Sequence, residues 1–504
     1  MPWIETDTLV PGVPHPENHS IYNGLDCMLT LEIFQEITRK ANALPQIYSF
    51  ERALQGPVLE MMLRGFRVDE TARAEGIEYL SARLSRLDSI LQRYAFAVWD
   101  KTLNPRSPKQ LIDFFYGAMR LPEQWISQKG IRKLSTNRET LEKLEVYFHA
   151  APIISAILAI RDLSKQREVL LTEIDPDHRM RTSYNIAGTE TWRLSSSGSS
   201  TGTGRNIQNI DPQLRNIFIA DNGWKICGID LEQAESREVG WLTGTIFDDW
   251  RYLDAAYGGD LHTASCKLIW PQMPWTGDKK EDRALADQNF YRNFSFRDMS
   301  KRGGHALNYY GTPFTVARHL KVPTKLIEDF QDRYFTAFPA IPKWHKWVAQ
   351  QLQTTSAITT PWGNTRHFFG RPGDDTTLRE AIAFSPQCST AIRMNLGMWK
   401  VWHTLGSRIQ LLAQVHDAIY FQMREDDDHA EIISQVLGLL DIRLRHGTHE
   451  LIVPGEAKVG WNWGSFHECS AKCSPGCRAA NPDGLKKWTG EDTRRRSGIL
   501  ERTF

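Results

Sequence analysis

Apolar and polar positions follow two rhythms along this chain, and the change of rhythm marks where helices give way to strands. Ile77, Leu80, Leu84, Leu87 and Leu91 recur three and four positions apart, which predicts a helix whose apolar stripe packs on a second long helix as an antiparallel pair. Upstream, a helical pattern from Phe50 closes at Gly65, and Asp69 stands ready to cap the next helix. Other apolar runs read as strands. Trp224-Lys-Ile-Cys-Gly-Ile-Asp230 ends on a carboxylate and passes at once into a helical pattern, Leu231-Glu-Gln233-Ala-Glu235-Ser-Arg237. Residues 409–415 and 418–422 predict a hairpin whose turn presents His416 and Asp417, where a tight turn would otherwise choose Asn-Gly. An acid at the end of a buried strand either caps a helix or grips a metal, and Asp230 alone does not choose between the two.

The polar stretches narrow the choice. Arg297, Lys301, His305 and Tyr309 recur every four residues and share one helical face. A cationic stripe ending in an aromatic ring is no core pattern. It suits a triphosphate held by Arg and Lys, with the His and Tyr against a base or sugar. Residues 181–212, rich in Ser, Thr, Gly and Asn but containing Trp192, Ile207 and Ile210, predict an ordered binding loop. Basic loops at 103–111, 128–133 and 135–140 each end in a helix cap, and suit either phosphate oxygens or plain solvent. The loop from Trp270 to Asp287 reads as a surface insertion, and residues 360–366 as a turn between strands.

At 504 residues the chain exceeds one ordinary core. Its 41% hydrophobic and 24% charged residues describe a globular protein, and no apolar run reaches the roughly eighteen residues that would span a membrane. The N-terminus lacks a secretory pattern, so the cytoplasm of a bacterial host or its nucleoid is the expected setting. Seven cysteines are too few for a disulfide scaffold. A net charge of +1 announces no polyanion partner, which leaves local charge to carry that argument.

Taken together, these motifs resemble the family A (DNA polymerase I-like) DNA polymerases, from about residue 50 to 464. Residues 230–237 are similar to motif A, Arg297-x3-Lys301-x7-Tyr309 to motif B and Gln414-Val-His-Asp417 to motif C. The resemblance implies an α+β right-hand fold with an antiparallel-sheet palm, helical fingers and a helical thumb. The boundaries it implies are an exonuclease-like remnant at 1–44, thumb at 45–180, palm at 181–259 and 348–464 flanking fingers at 260–347, and a tail at 465–504.

It also implies template-directed DNA synthesis from dNTPs on primer-template DNA, in replication or repair. Asp230 and Asp417 are the implied ligands of two Mg²⁺ ions, and nucleotidyl transfer needs no more protein carboxylates than these. Gln233, His262, Arg297, Lys301, His305 and Tyr309 would meet the nucleotide, with Glu235 against its sugar as a steric gate. Arg193, Gln208, Asn209, Arg237, Arg379, Gln387 and His416 would contact primer and template. His305 stands where the family commonly has Phe or Tyr, Tyr310 intervenes before Gly311, and Ala383 and Ala418 replace the usual Asn and Glu. The rival functions are an inactive primer-template scaffold and a polymerase that uses an RNA template or rNTPs.

At the amino end, Tyr22-x3-Asp26 resembles only the last motif of a proofreading exonuclease. The chain is therefore expected not to proofread alone, with an exonuclease or processivity protein as a separate partner; such compactness suits a bacteriophage. In the tail, His467, Cys469, Cys473 and Cys477 are either zinc ligands or free thiols, since their spacing is not that of a common finger.

Overall fold

The computed structural model describes residues 15–41, 46–128, 131–292, 294–469, 473 and 480–490. The chain divides into two compact units, Met1–Gln55 and Gly56–Phe504. In the first, helix α1 (His15–Ala41) carries both Tyr22 and Asp26, and leaves Leu25, Met28, Leu29 and Ile33 exposed. No described helix is long and apolar enough to cross a membrane.

In the second unit, α2 (Glu70–Trp99) is started by the Asp69 carboxylate accepting from the Ala72 N–H and ended at Asp100 in a left-handed conformation. Leu80, Leu84 and Leu91 are buried, Ile77 and Leu87 half-buried, and this stripe packs on α3 (Ala151–Leu170), as the three-and-four spacing requires. Residues 125–128 and 131–134 pair as a hairpin, so the basic stretch at 128–133 is largely strand and not the loop expected.

At the centre lies an antiparallel sheet of order β2-β3-β1-β4-β5, with β1 Trp224–Leu231, β2 Ile409–Val415, β3 Ala418–Arg424, β4 Gly455–Gly460 and β5 Lys486–Lys487. Residues 225–229 of β1 are all buried, the burial that an unbroken apolar run demands of a strand paired on both edges. Strand β5 comes from beyond residue 464 and pairs with β4, so the segment read as a free tail returns to complete the sheet. Gly460 permits this return, since a Cβ there would lie 2.4 Å from the Gly484 carbonyl oxygen.

Helix α4 (Ala234–Phe247) follows β1 directly and packs on α7 (Asp375–Leu405), while α5 (Leu261–Ile269) packs on α6 (Phe296–Asn308), and all four share one core. The stretch at 270–287 lies largely at the surface, as expected of an insertion, but it is ordered: residues 279–286 are helical, Trp270 is buried, and Asp282 accepts from the Thr276 and Gly277 N–H groups while pairing with Lys267. Two buried polar contacts fix the helices. Arg393 of α7 donates to Glu238 of α4 at 3.0 Å, with both side chains almost wholly enclosed. At the end of α6, Asn308 donates to the Tyr252 hydroxyl at 2.8 Å and accepts from that of Tyr334, while His345 Nε2 donates to the Asn308 carbonyl at 2.9 Å.

These contacts make two predictions. Arg393→Met leaves Glu238 buried without its cation and should cost about 3–5 kcal/mol in urea unfolding, most of it recovered by adding Glu238→Leu. An unchanged urea midpoint in the single variant would remove the ion pair from the account. Burial pushes the His345 imidazole down to about 4, below its unfolded value of about 6.5. Its contribution is therefore complete above about pH 6.5 and is lost as pH falls towards 4. Between pH 8 and pH 5 the parent chain should lose about 2 kcal/mol more stability than His345→Gln.

Candidate active site

Strand register builds an acidic wall. Asp230 is the exposed position of β1, in register with Ala418 of β3 on one side and Glu456 of β4 on the other. The β2–β3 turn is made tight by His416 at φ 56°, and the Leu231 N–H donates to the Asp417 carbonyl at 3.1 Å, which ties the turn to β1. Both carboxylates therefore face one groove. Crowding by the surrounding chain, and then the Asp417 charge, pushes the Asp230 carboxyl up to about 6. Asp417 is raised as well, by burial first and by the Glu235 charge. Behind the turn, Gln414 is held on several sides. The Tyr184 hydroxyl and Gln208 Nε2 donate to its carbonyl at 3.0 and 3.3 Å, and its own Nε2 donates to Asn395 at 2.8 Å.

A basic wall faces the acids. Helix α6 opens with a capping box at Ser295 and Asp298, and turns Arg297, Lys301 and His305 into a groove of about 690 Å³ that also receives Asp230, Asp417 and His262. Asp260, at the start of α5, accepts from Arg297 Nε and Nη2 at 2.7 and 3.0 Å. Burial opposes the Asp260 charge, but Arg297 and the Thr263 hydroxyl more than offset it and hold the carboxyl below the usual range. Burial also pushes His262 down to about 4, helped by the Arg297, Lys301 and His305 charges against the opposing pull of Asp260, so it is neutral at pH 7.

Between the walls stands Glu235. Arg193 pairs with one of its oxygens and the Tyr309 hydroxyl donates to the other. Gln233, just before α4, adopts φ 55° and also lines the groove. Tyr310 takes φ 61° and sets its ring edge-on to His345, so the residue that reaches Glu235 is Tyr309 despite the inserted neighbour. His305 meets the Tyr309 ring edge-on at 4.9 Å.

Not every residue read from the sequence comes to this groove. Arg237 is buried, and its guanidinium donates to the Glu232, Ile452 and Ala256 carbonyls, so its charge serves the interior and is withdrawn from DNA. Gln208 is similarly enclosed and positions the strand of Asp417. Asn209, Arg379 and His416 are exposed, with Arg379 near Asp375, and Gln387 is half-buried on α7. Asp260 and Glu456 were not foreseen. Asp260 was legible as a helix start, but its partner lies 37 residues away, and Glu456 meets Asp230 only through strand pairing. In the C-terminal segment, ligand atoms of His467, Cys469 and Cys473 lie within 4.8 Å of one another, while Cys477 falls outside the described residues.

Comparison with known proteins adds an independent line. The chain is 26% identical over 483 residues to DNA polymerase I of Chloroflexus aurantiacus, which covers 89% of this chain and 46% of that protein. It is 27% identical over 433 residues to the thermostable DNA polymerase I of Thermus aquaticus, covering 81% and 47%. The chain thus spans about half the length of the curated relatives it matches. Among solved structures it shares the fold of the POL domain of Pol1 from M. smegmatis in complex with DNA primer-template and dNTP. That likeness has a TM-score of 0.66 at 23% identity and covers 82% of this chain and 69% of that one. The fold is therefore the right hand, with the five-stranded sheet as its palm. The family profile described as DNA polymerase family A matches residues 74–465, most of the chain, and the protein belongs to that family.

Proposed function

We propose that the groove is the nucleotidyl-transfer site of a template-directed DNA polymerase, which adds dNTPs to a primer 3′ end in replication or repair. The observation that carries this reading is the convergence of Asp230 and Asp417, each with a raised carboxyl pKa, opposite the Arg297, Lys301 and His305 face of α6. Two half-enclosed carboxylates, raised by burial and by neighbouring acids, form a donor set short of positive charge. Oxygen donors of that kind fit Mg²⁺, which takes few protein ligands and fills its shell from substrate phosphates. Asp230 and Asp417 would hold the two ions, whose chemistry is to activate the primer hydroxyl and neutralise the departing pyrophosphate.

The remaining work falls to the chain itself. Arg297, pre-set by the Asp260 fork, and Lys301 bind the triphosphate. Neutral His262 donates or accepts a hydrogen bond without adding charge. Arg193 and Tyr309 fix both oxygens of Glu235, so its carboxylate stands rigidly against the sugar, and a 2′-hydroxyl meets a side chain with no freedom to withdraw. Asn209, Arg379, Gln387 and His416 bind primer and template, along with Gln233 at the nucleotide side.

Primer extension tests the reading directly. Asp230→Ala and Asp417→Ala should each lower the extension rate by about 10³-fold, on the scale of losing a preorganised electrostatic contact, with primer-template affinity little changed. A parent chain that binds primer-template yet never extends it would identify a scaffold instead. Glu235→Ala should raise rNTP use relative to dNTP by roughly 10²-fold, with Tyr309→Phe giving a smaller shift in the same direction. Equal use of both nucleotides by the parent chain would remove Glu235 from the role of gate.

A further inference from the structure

The C-terminal segment holds a cluster that the polymerase chemistry does not use. His467, Cys469 and Cys473 bring three ligand atoms within 4.8 Å of one another, with Cys473 Sγ 3.4 Å from His467 Nε2. A tetrahedral zinc ion, with Zn–S near 2.3 Å and Zn–N near 2.0–2.1 Å, separates sulfur from nitrogen by about 3.5 Å and sulfur from sulfur by about 3.8 Å. The Cys473–His467 spacing therefore already matches such a site, and the remaining ligand atoms lie within 4.8 Å, close enough to reach it by side-chain rotation. The cluster's donors also differ in kind from those of the acidic groove. Thiolate and imidazole select a borderline-soft ion, whereas the carboxylates at Asp230 and Asp417 suit a hard one.

The backbone around the cluster is pinned before any metal enters. The His467 N–H donates to the Asn481 carbonyl at 3.1 Å, and the Asn481 N–H returns the bond at 2.8 Å. The side chains of Asn462 and Asn481 bond each other reciprocally at 2.7 and 2.9 Å, and Phe466 N–H donates to the Leu485 carbonyl. Between those anchors, residues 468–480 contain no large apolar side chain. A bound metal supplies binding energy of a kind that this composition does not.

We propose that His467, Cys469 and Cys473 hold one zinc ion, and that this ion fastens the returning segment 480–488 to the palm sheet. Two thiolates neutralise the ion, the His467 imidazole is the third ligand, and one further protein donor closes the tetrahedron, as a structural site requires. The role is structural: β5 and its Lys487, which pairs with Glu456 at 2.5 Å, lie just beyond the anchored end.

The full chain, purified without chelator, should carry one zinc per molecule by elemental mass spectrometry. Exchange with Co²⁺ should produce thiolate-to-cobalt charge-transfer absorption that is lost in Cys469→Ser and Cys473→Ser and altered in His467→Asn, with Cys477 unchanged in every variant. Stripping zinc from the parent chain should speed limited proteolysis between residues 467 and 481 by about tenfold or more, reversed by adding zinc alone. This last measurement needs no variant, so a substitution that failed to fold would not blur the result. Absence of zinc even after incubation with the metal would overturn the proposal. So would zinc retained by the Cys469→Ser/Cys473→Ser double variant, or a quantitative Cys469–Cys473 disulfide in fresh protein.

Discussion

The antiparallel ladder around β1 holds carboxylates together against their own repulsion, and the groove exists because the ladder prevails. Asp230 is paired in register on both flanks, with Ala418 and with Glu456, while the Leu231 N–H grips the Asp417 carbonyl. Each backbone bond contributes only about 1 kcal/mol net, but many act along a strand that is buried over five consecutive residues. The Asp230 and Asp417 carboxyl groups are raised first by burial and then by neighbouring acids, Asp417 for the one and Glu235 for the other. Negative charge held in this way is the preorganisation that the proposed metal-binding role requires.

The opposite wall follows the same logic with the sign reversed. Arg297, Lys301 and His305 share one face of α6 because a four-residue repeat advances about one turn. Asp260 holds the Arg297 fork, and the buried Asn308, Tyr252 and Tyr334 network anchors the far end of the same helix. The cationic face is thus fixed at both ends, and the space between it and the acids is set by helix packing and not by flexible side chains. Glu235 bridges the two walls: it sits on the helix that follows β1, yet its oxygens are held by Arg193 and by Tyr309 at the end of α6.

What the sequence disclosed was whatever a short-range pattern carries. The stripe at 77–91, the strand into Asp230, the hairpin strands at 409–415 and 418–422 and the face from Arg297 to Tyr309 all follow from short-range spacing. What it hid depends on partners far apart in the chain. Arg237 has the chemistry of a phosphate contact, and only the fold shows its donors spent on three interior carbonyls. The stretch from Trp270 to Asp287 is polar in composition, but Asp282 satisfies two backbone N–H groups within it and Trp270 enters the core. Strand β5 is two lysines long, too short and too polar to carry any periodic signal.

Those two lysines bear on the groove itself. Ala418 occupies the position where the family usually places a further carboxylate, directly opposite Asp230. The opposite flank of β1 supplies one instead, since Glu456 faces Asp230 from β4. An unscreened third acid would add to the repulsion that the ladder already resists. Lys487 and Lys458 pair with Glu456 at 2.5 and 3.5 Å and hold its carboxyl below the usual range, so this acid stays ionised; its charge still raises the Asp230 carboxyl, and Lys458 pulls the other way. Lys487 reaches Glu456 only because the chain returns past His467 and Asn481 to form β5. The C-terminal segment is thus coupled to the acidic wall by one ion pair, and its anchorage sets part of the charge balance at the groove.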